Sequence, residues 1–362
     1  MLFTATTVKD SPANVGFFVA ANLASGVDHM FVFLDAPKDP GQQEVAEMLD
    51  ADPRVTCIRT GRKAWWGEDR PQSLNVRQRI NANWARSALE PLEWVDWLFH
   101  VDGDEVALLD RAALDAVPED RDAVWLAPLE AVSRFRPEAR PTQFKRLLDD
   151  ADLNLLHVLG AIDEPTNQSY FHGHVMGKSG VRPRSGLALT LHDAISPDGK
   201  RQERHRDDRL RLLHYDAVSG EEFIRKWTAL AQAGPARYRA SRQPMAKALK
   251  TLAGKDVPEQ VREKYLRRIY ELTTLDDVEL LDELGLLERV DPERHDTAPR
   301  PMTDEQAAAL AARVAELRDE PKRAFFVADA ASDRTRDAEG RRTGSRGSRP
   351  AGARLKGLVR RG

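Results

Sequence analysis

The sequence predicts an α/β protein, a mostly parallel sheet flanked by helices with a helical region after it. Three observations carry this. Short β-branched runs alternate with helical patterns over residues 2–59. The apolar and aromatic run from Trp94 to Val101 reads as a buried strand that ends at Asp102-Gly103-Asp104. After Tyr215 the apolar spacing turns helical.

Leu2 to Val8 is β-branched and predicts a first strand. Ser11 and Pro12 suit the N-cap and first position of a helix, Val15, Phe18, Val19 and Leu23 follow at helical spacing, and Gly26 ends it. Met30 to Leu34, Gln42 to Leu49 and Arg54 to Arg59 continue as strand, helix and strand. Such an alternation implies parallel strands joined by crossover helices, a nucleotide-binding type of half-domain. Neither a G-x-G-x-x-G fingerprint nor a Walker lysine loop accompanies it, which disfavours dinucleotide dehydrogenases and P-loop kinases. Trp65 and Trp66 follow in a loop, where one of the two is expected in the core. Gln72 to Ala88 is a predicted helix, Ala123 to Leu126 a strand, and Leu210 to Tyr215 the expected last strand. Ser219 to Glu222 and Thr303 to Gln306 read as capping boxes. The first opens a helix with Phe223, Trp227 and Leu230 on one face.

Composition narrows the class. The chain has 362 residues, 41% hydrophobic and 31% charged, enough for a large α/β domain with an accessory region. A formal net charge of −3 does not suggest a specific nucleic-acid partner. The one cysteine, Cys57, falls in a predicted strand and reads as a small core residue. No stretch is long and apolar enough to span a bilayer, and the opening lacks a basic signal-like segment, so the expectation is a cytoplasmic protein. Residues 332–362 hold nine arginines and one lysine against two aspartates and one glutamate. That tail is expected to be disordered, with peripheral contact to an anionic inner membrane face as a secondary expectation.

Asp102 and Asp104 sit one glycine apart at the predicted end of the strand. Ligands gather at the carboxyl ends of strands in open α/β sheets, and paired carboxylates suit a hard divalent cation. A bare D-x-D is short, and an acidic surface turn is the alternative.

Several segments together resemble the family-2-like glycosyltransferases of the GT-A fold and the related family 92. They are Thr6-Thr7-Val8-Lys9-Asp10, Val101-Asp102-Gly103-Asp104-Glu105, Gly177-Lys178-Ser179-Gly180-Val181-Arg182-Pro183, and Leu213-His214-Tyr215 followed by Ser219 and Glu221-Glu222-Phe223. The resemblance spans Leu2 to Trp227. It implies a Rossmann-like GT-A domain over residues 1–227, with a helical region over 228–330 and the basic tail over 331–362 outside it. It also implies inverting transfer of a sugar from a nucleotide-sugar donor to a glycan or glycolipid acceptor, in cell-surface polysaccharide or glycoconjugate synthesis. By the same resemblance Asp102 and Asp104 hold Mn²⁺ or Mg²⁺, Asp102 lying nearer the ribose, Glu105 supports the site, and His214 is a further ligand or a contact to the diphosphate. Thr6, Lys9 and Asp35 fall where base and ribose bind, and Lys178 and Arg182 could hold phosphate oxygens. A core histidine and a solvated edge strand are the alternatives for His214 and for the basic pair.

Inverting transfer needs a base for the acceptor hydroxyl. Asp193, Asp207, Asp208 and Glu130 are candidates by chain position; Asp193, after a predicted strand, ranks first, and Asp208 stands beside it. His172, His174 and His192 are a further candidate metal cluster with irregular spacing. A nucleotidyltransferase, a metal-dependent hydrolase, and a non-catalytic nucleotide- or glycan-binding protein are the competing functions.

Overall fold

The structure is a computed structural model and describes residues 1–216, 218–225, 243–292 and 299–330. Trp227, Leu230 and the basic tail lie outside the described residues. The fold is mixed α/β, with a mostly parallel Rossmann-like core sheet flanked by helices. Strands β1 (Leu2–Val8), β2 (His29–Leu34), β3 (Val55–Arg59) and β4 (Trp97–His100) lie in the order β3-β2-β1-β4, all parallel. The chain moves outward from β1 to β3 and then returns to β1's other side as β4. The strand order therefore reverses between β1 and β4, which opens a crevice beyond their carboxyl ends.

Helices cover both faces. Helix α1 (Pro12–Ala24) starts as predicted, with the Ser11 side chain accepting from the Asn14 amide at 3.3 Å. Its Val15, Phe18 and Leu23, with Val45 and Leu49 of α2 (Gln42–Asp50), pack on Val32, Leu34 and Phe99. Helix α3 (Leu74–Leu89) covers the other face, where Trp84 meets Phe31 and Phe33 edge-on. Both Trp65 and Trp66 are buried in that cluster, so neither offers an open platform. Their neighbours Phe33 and Trp84 supply the apolar wall that two indoles need. Removing the Trp84 side chain would cost about 3–5 kcal/mol. Cys57 is half-buried against the first core cluster, and burial pushes its thiol up to about 12.

Beyond β4 the sheet mixes directions. β5 (Glu105–Leu108) leaves the parallel set. β6 (Ala123–Ala131) is longer than expected, and its second half pairs with other strands. β8 (Lys178–Val181) inserts antiparallel between β4 and β6. Gly180 allows this, because a Cβ there would overlap the Phe99 ring. β11 (Arg211–His214) runs parallel to β6 and antiparallel to β5. The strand expected just before Asp193 is a small hairpin, β9 (Ala188–Leu189) with β10 (Ala194–Ile195).

β11 is not the last strand. β7 (Gln143–Lys145) pairs with β6 and with β12 (Leu287–Arg289), within a stretch expected to be helical throughout. The helix Val278–Glu283 stops because Gly285 adopts φ +67°, and Leu286 and Leu287 then pack toward Leu148 and Leu156. The Thr303–Gln306 capping box forms in both directions, at 3.2 and 3.0 Å. The helix it opens, Asp304–Glu316, packs Leu310 into the α3 cluster. Phe223 packs on Tyr270 of the helix Glu259–Thr273. Among the described residues no helix is long and apolar enough to cross a membrane.

Candidate metal centre

The turn Asp102-Gly103-Asp104 follows β4 and faces the crevice beside β1. Gly103 is there for space: a Cβ would come within 2.9 Å of Val8 Cγ2, and valine has little rotamer freedom to yield. Glu105 then opens β5 opposite His214, the final residue of β11. The Asp104 carbonyl accepts from the Tyr215 amide at 2.8 Å, which ties the turn to the end of β11.

Two groups of potential ligands result. Glu105, His174 and His214 offer atoms within 4.8 Å of one another, and so do Asp104, His214 and Asp216. His214 belongs to both. His174 Nε2 lies 2.7 Å from Glu105 Oε1, and His214 Nε2 lies 4.0 Å from Asp104 Oδ2. The Nδ1 atoms of His174 and His214 are buried without a hydrogen-bond partner. The two rings stack with centroids 4.7 Å apart, and His192 meets His174 edge-on at 4.4 Å. Carboxylates and imidazoles at these separations fit a divalent cation.

Electrostatics divide the site. Lys178 is fully buried, with its ammonium 2.6 Å from Asp102 Oδ2 and 3.4 Å from Glu105 Oε2. Burial is the largest influence on the Asp102 and Glu105 carboxyls and would raise them, but the Lys178 ammonium together with His100 at Asp102 and with His174 and His214 at Glu105 outweighs it, and both shift down. Burial would lower Lys178, and the two carboxylates instead raise it. His192 is driven down to about 3, first by burial and then by Lys178 and His174, so it is neutral. Its Nδ1 donates to the Gly177 carbonyl at 3.0 Å. His100, the last residue of β4, is also lowered by burial and then by Lys178.

The structure brings some of the sequence candidates together and separates others. Glu105 and His174 meet at His214 in one group and Asp104 meets it in the other, with Asp102 beside Glu105. Asp102 is in neither ligand group: its Oδ1 accepts from Gln78 at 2.6 Å and its Oδ2 from Lys178. Lys178 therefore neutralises carboxylates rather than presenting a free ammonium to phosphate. Arg182 lies at the other end of β4, with its guanidinium 4.4 Å from the Trp97 ring centroid. Asp208 is exposed and precedes β11 at the end opposite His214, and its neighbour Asp207 pairs with Arg209 at 2.7 Å. Asp193 is buried and faces Arg201 and Arg204 at 3.4 and 3.5 Å, although the adjacent His192 touches the cluster. Thr6 is buried in β1 with an unpartnered hydroxyl, and Lys9 pairs at the surface with Asp39 at 2.5 Å. Asp35 is held by Arg77 through two 2.7 Å bonds and by Arg70 at 3.1 Å. His172 binds Asp276 at 2.9 Å instead of joining His174.

Asp216 was missed from the sequence. Its signal was the spacing His214-x-Asp216, which puts both side chains on one face of an extended chain.

No family model matches this chain, and no curated protein matches it. Among solved structures, the crystal structure of mannose-1-phosphate geranyltransferase from Thermus thermophilus aligns with 80% of this chain and 72% of its own at 12% identity. The TM-score of 0.23 is too low for that likeness to carry an argument about fold or activity.

Proposed function

We propose that the chain is a metal-dependent glycosyltransferase that moves a sugar from a nucleotide-sugar donor to an acceptor hydroxyl. Residues 1–227 would form its GT-A catalytic unit, with the later helices docked on it. The observation that carries this reading is the acidic turn after β4 meeting His174 and His214 at the point where strand order reverses. Asp104, Asp216, Glu105, His174 and His214 would hold Mn²⁺ or Mg²⁺. When bound, the cation would offset negative charge on a departing nucleoside diphosphate. Lys178 keeps Asp102 and Glu105 ionised, so the acidic turn is ready to receive a cation at neutral pH. Neutral His192 adds no positive charge to the ligand set. Inversion and a glycan or glycolipid acceptor are parts of the proposal that rest on the family resemblance, and peripheral membrane contact rests on the basic composition of the tail.

A second reading has one specific observation in its favour. Two imidazoles with one carboxylate form a set used by zinc hydrolases. A thermal-shift screen of nucleoside diphosphates and nucleotide sugars, with and without Mn²⁺, tests both. A metal-dependent rise in Tm for one nucleotide, lost in Asp104→Ala, supports the donor site. Diphosphate release that requires an acceptor supports transfer, whereas equal release without acceptor favours hydrolysis. No shift with any nucleotide would sink the donor-site argument.

A further inference from the structure

A buried ionic group lies behind the metal centre and contains none of its candidate ligands. Asp276 belongs to the segment just before the helix Val278–Glu283. Its Oδ2 accepts from the Ser133 amide at 2.7 Å, and its Oδ1 from Lys145 Nζ at 3.0 Å and His172 Nε2 at 2.9 Å. Lys145 is fully buried and also reaches Glu130 at 2.9 Å and the Tyr170 carbonyl at 3.0 Å. Glu130, equally buried, uses both oxygens on the backbone that leads to His174. The His172 amide donates to Oε1 at 2.7 Å, and the Gly173 amide donates to Oε2. The His214 ring packs against Gly173 beside the Glu130 carboxylate, and any Cβ there would overlap both.

Removing these charges from water is costly, and an apolar set of similar volume could fill the same space. What the ionic group provides is direction. Two bonds from Glu130 fix the orientation of the peptide at residues 172 and 173. His172 is held at both backbone and side chain, and the next side chain is a candidate metal ligand.

We propose that Asp276, Lys145 and Glu130 are positioning residues of the metal centre, which orient His174 and His214 through the His172-Gly173 backbone. The region after residue 228 then controls metal affinity through Asp276, although it supplies none of the five candidate ligands. This rests on the metal-centre reading.

The test uses the full chain. In the metal-free protein, Asp276→Asn should shift the imidazole ¹⁵N resonances of His174 and His214 and leave His29 unmoved. Mn²⁺ affinity should fall about 10–100-fold, the usual effect of losing an outer partner of a metal ligand. Asp276→Asn should cost less Mn²⁺ affinity in the His174→Ala background than in the wild type, because only its effect through His214 remains there. His172→Ala, which leaves the Lys145 pairs intact, should act in the same direction and serves if Asp276→Asn does not fold. Unmoved His174 and His214 resonances, or additive losses in the double variant, would overturn the proposal. Absence of Mn²⁺ binding by the wild-type chain would instead sink the metal-centre reading, while the ring shifts would still decide whether Asp276 orients these histidines.

Discussion

His214 stands opposite Glu105 in the antiparallel pair of β11 with β5, and the Asp102-Gly103-Asp104 turn leads directly into that pair. His214 is also the one residue shared by both candidate ligand groups. Its loss should therefore cost more than the loss of His174, which belongs to one group. Titration of free Mn²⁺ by electron paramagnetic resonance should find affinity reduced at least 10-fold in His174→Ala and further in His214→Ala. The floor is what disturbing a mere outer partner costs. Equal and small effects for the two variants would contradict the shared-ligand arrangement.

Lys178 occupies the place of a built-in cation between Asp102 and Glu105. Lys178→Met removes the buried ammonium that Asp102 and Glu105 share. The expected loss is about 3–5 kcal/mol in urea denaturation. Added Mn²⁺ should restore more stability to Lys178→Met than it adds to the wild type, because the cation then meets unneutralised acids. Identical Mn²⁺ gains in both proteins would show that the ammonium and the cation do not share these carboxylates.

The legible parts of the sequence were those with a strong local signal. The first three strands and α1 to α3 follow apolar periodicity and cap chemistry, and their bounds differ from expectation by one or two residues. β12 was not legible, because Leu286 and Leu287 look the same in a helix and in a strand. Only the distant pairing with β7 decides between them. At the site, the carboxylates were readable from the end of one strand. Asp276 was not, because its partners Ser133, Lys145 and His172 come from three other segments. The partners of Lys178 were not legible either, because its fully buried ammonium pairs with Asp102 and Glu105 from a distant segment.

Stability should depend on pH through buried histidines. Burial is the largest influence on His29 and lowers it to about 4, against opposing pulls from Asp52 and Asp28. The unfolded side chain takes its proton near pH 6.5. Between these values the unfolded state binds a proton that the folded state refuses, so the contribution is full above pH 6.5 and lost as pH falls toward 4. For His29 alone this amounts to roughly 3 kcal/mol. His192 adds a loss in the same direction that extends to about pH 3. The depressed carboxyls Glu105 and Glu130 keep their contribution above about pH 4.3 and lose it only below. Urea midpoints measured between pH 7.5 and 4.5 therefore report chiefly the histidines. His29→Phe should flatten the curve in that range, and an unchanged slope would contradict the assignment.

The Asp35–Arg77 pair sets a limit on how Asp35 could serve a donor nucleotide. Both carboxylate oxygens are engaged by one guanidinium, which also donates to the Pro71 and Gln72 carbonyls at 2.8 Å each. That fork ties the end of β2 to the start of α3, and lysine cannot reproduce it. Arg77→Ala should cost about 3 kcal/mol, the low end for breaking a buried pair, because Arg70 at 3.1 Å still holds the Asp35 carboxylate. Arg77→Lys keeps the charge and should cost less, about 1.5–3 kcal/mol for lost charged hydrogen bonds. If Asp35 acts first as the anchor of this fork, Asp35→Asn must lower the urea midpoint along with any nucleotide-dependent Tm shift. An Asp35→Asn protein of wild-type stability that no longer responds to nucleotide would reverse the order, making Asp35 a ligand contact that Arg77 merely orients.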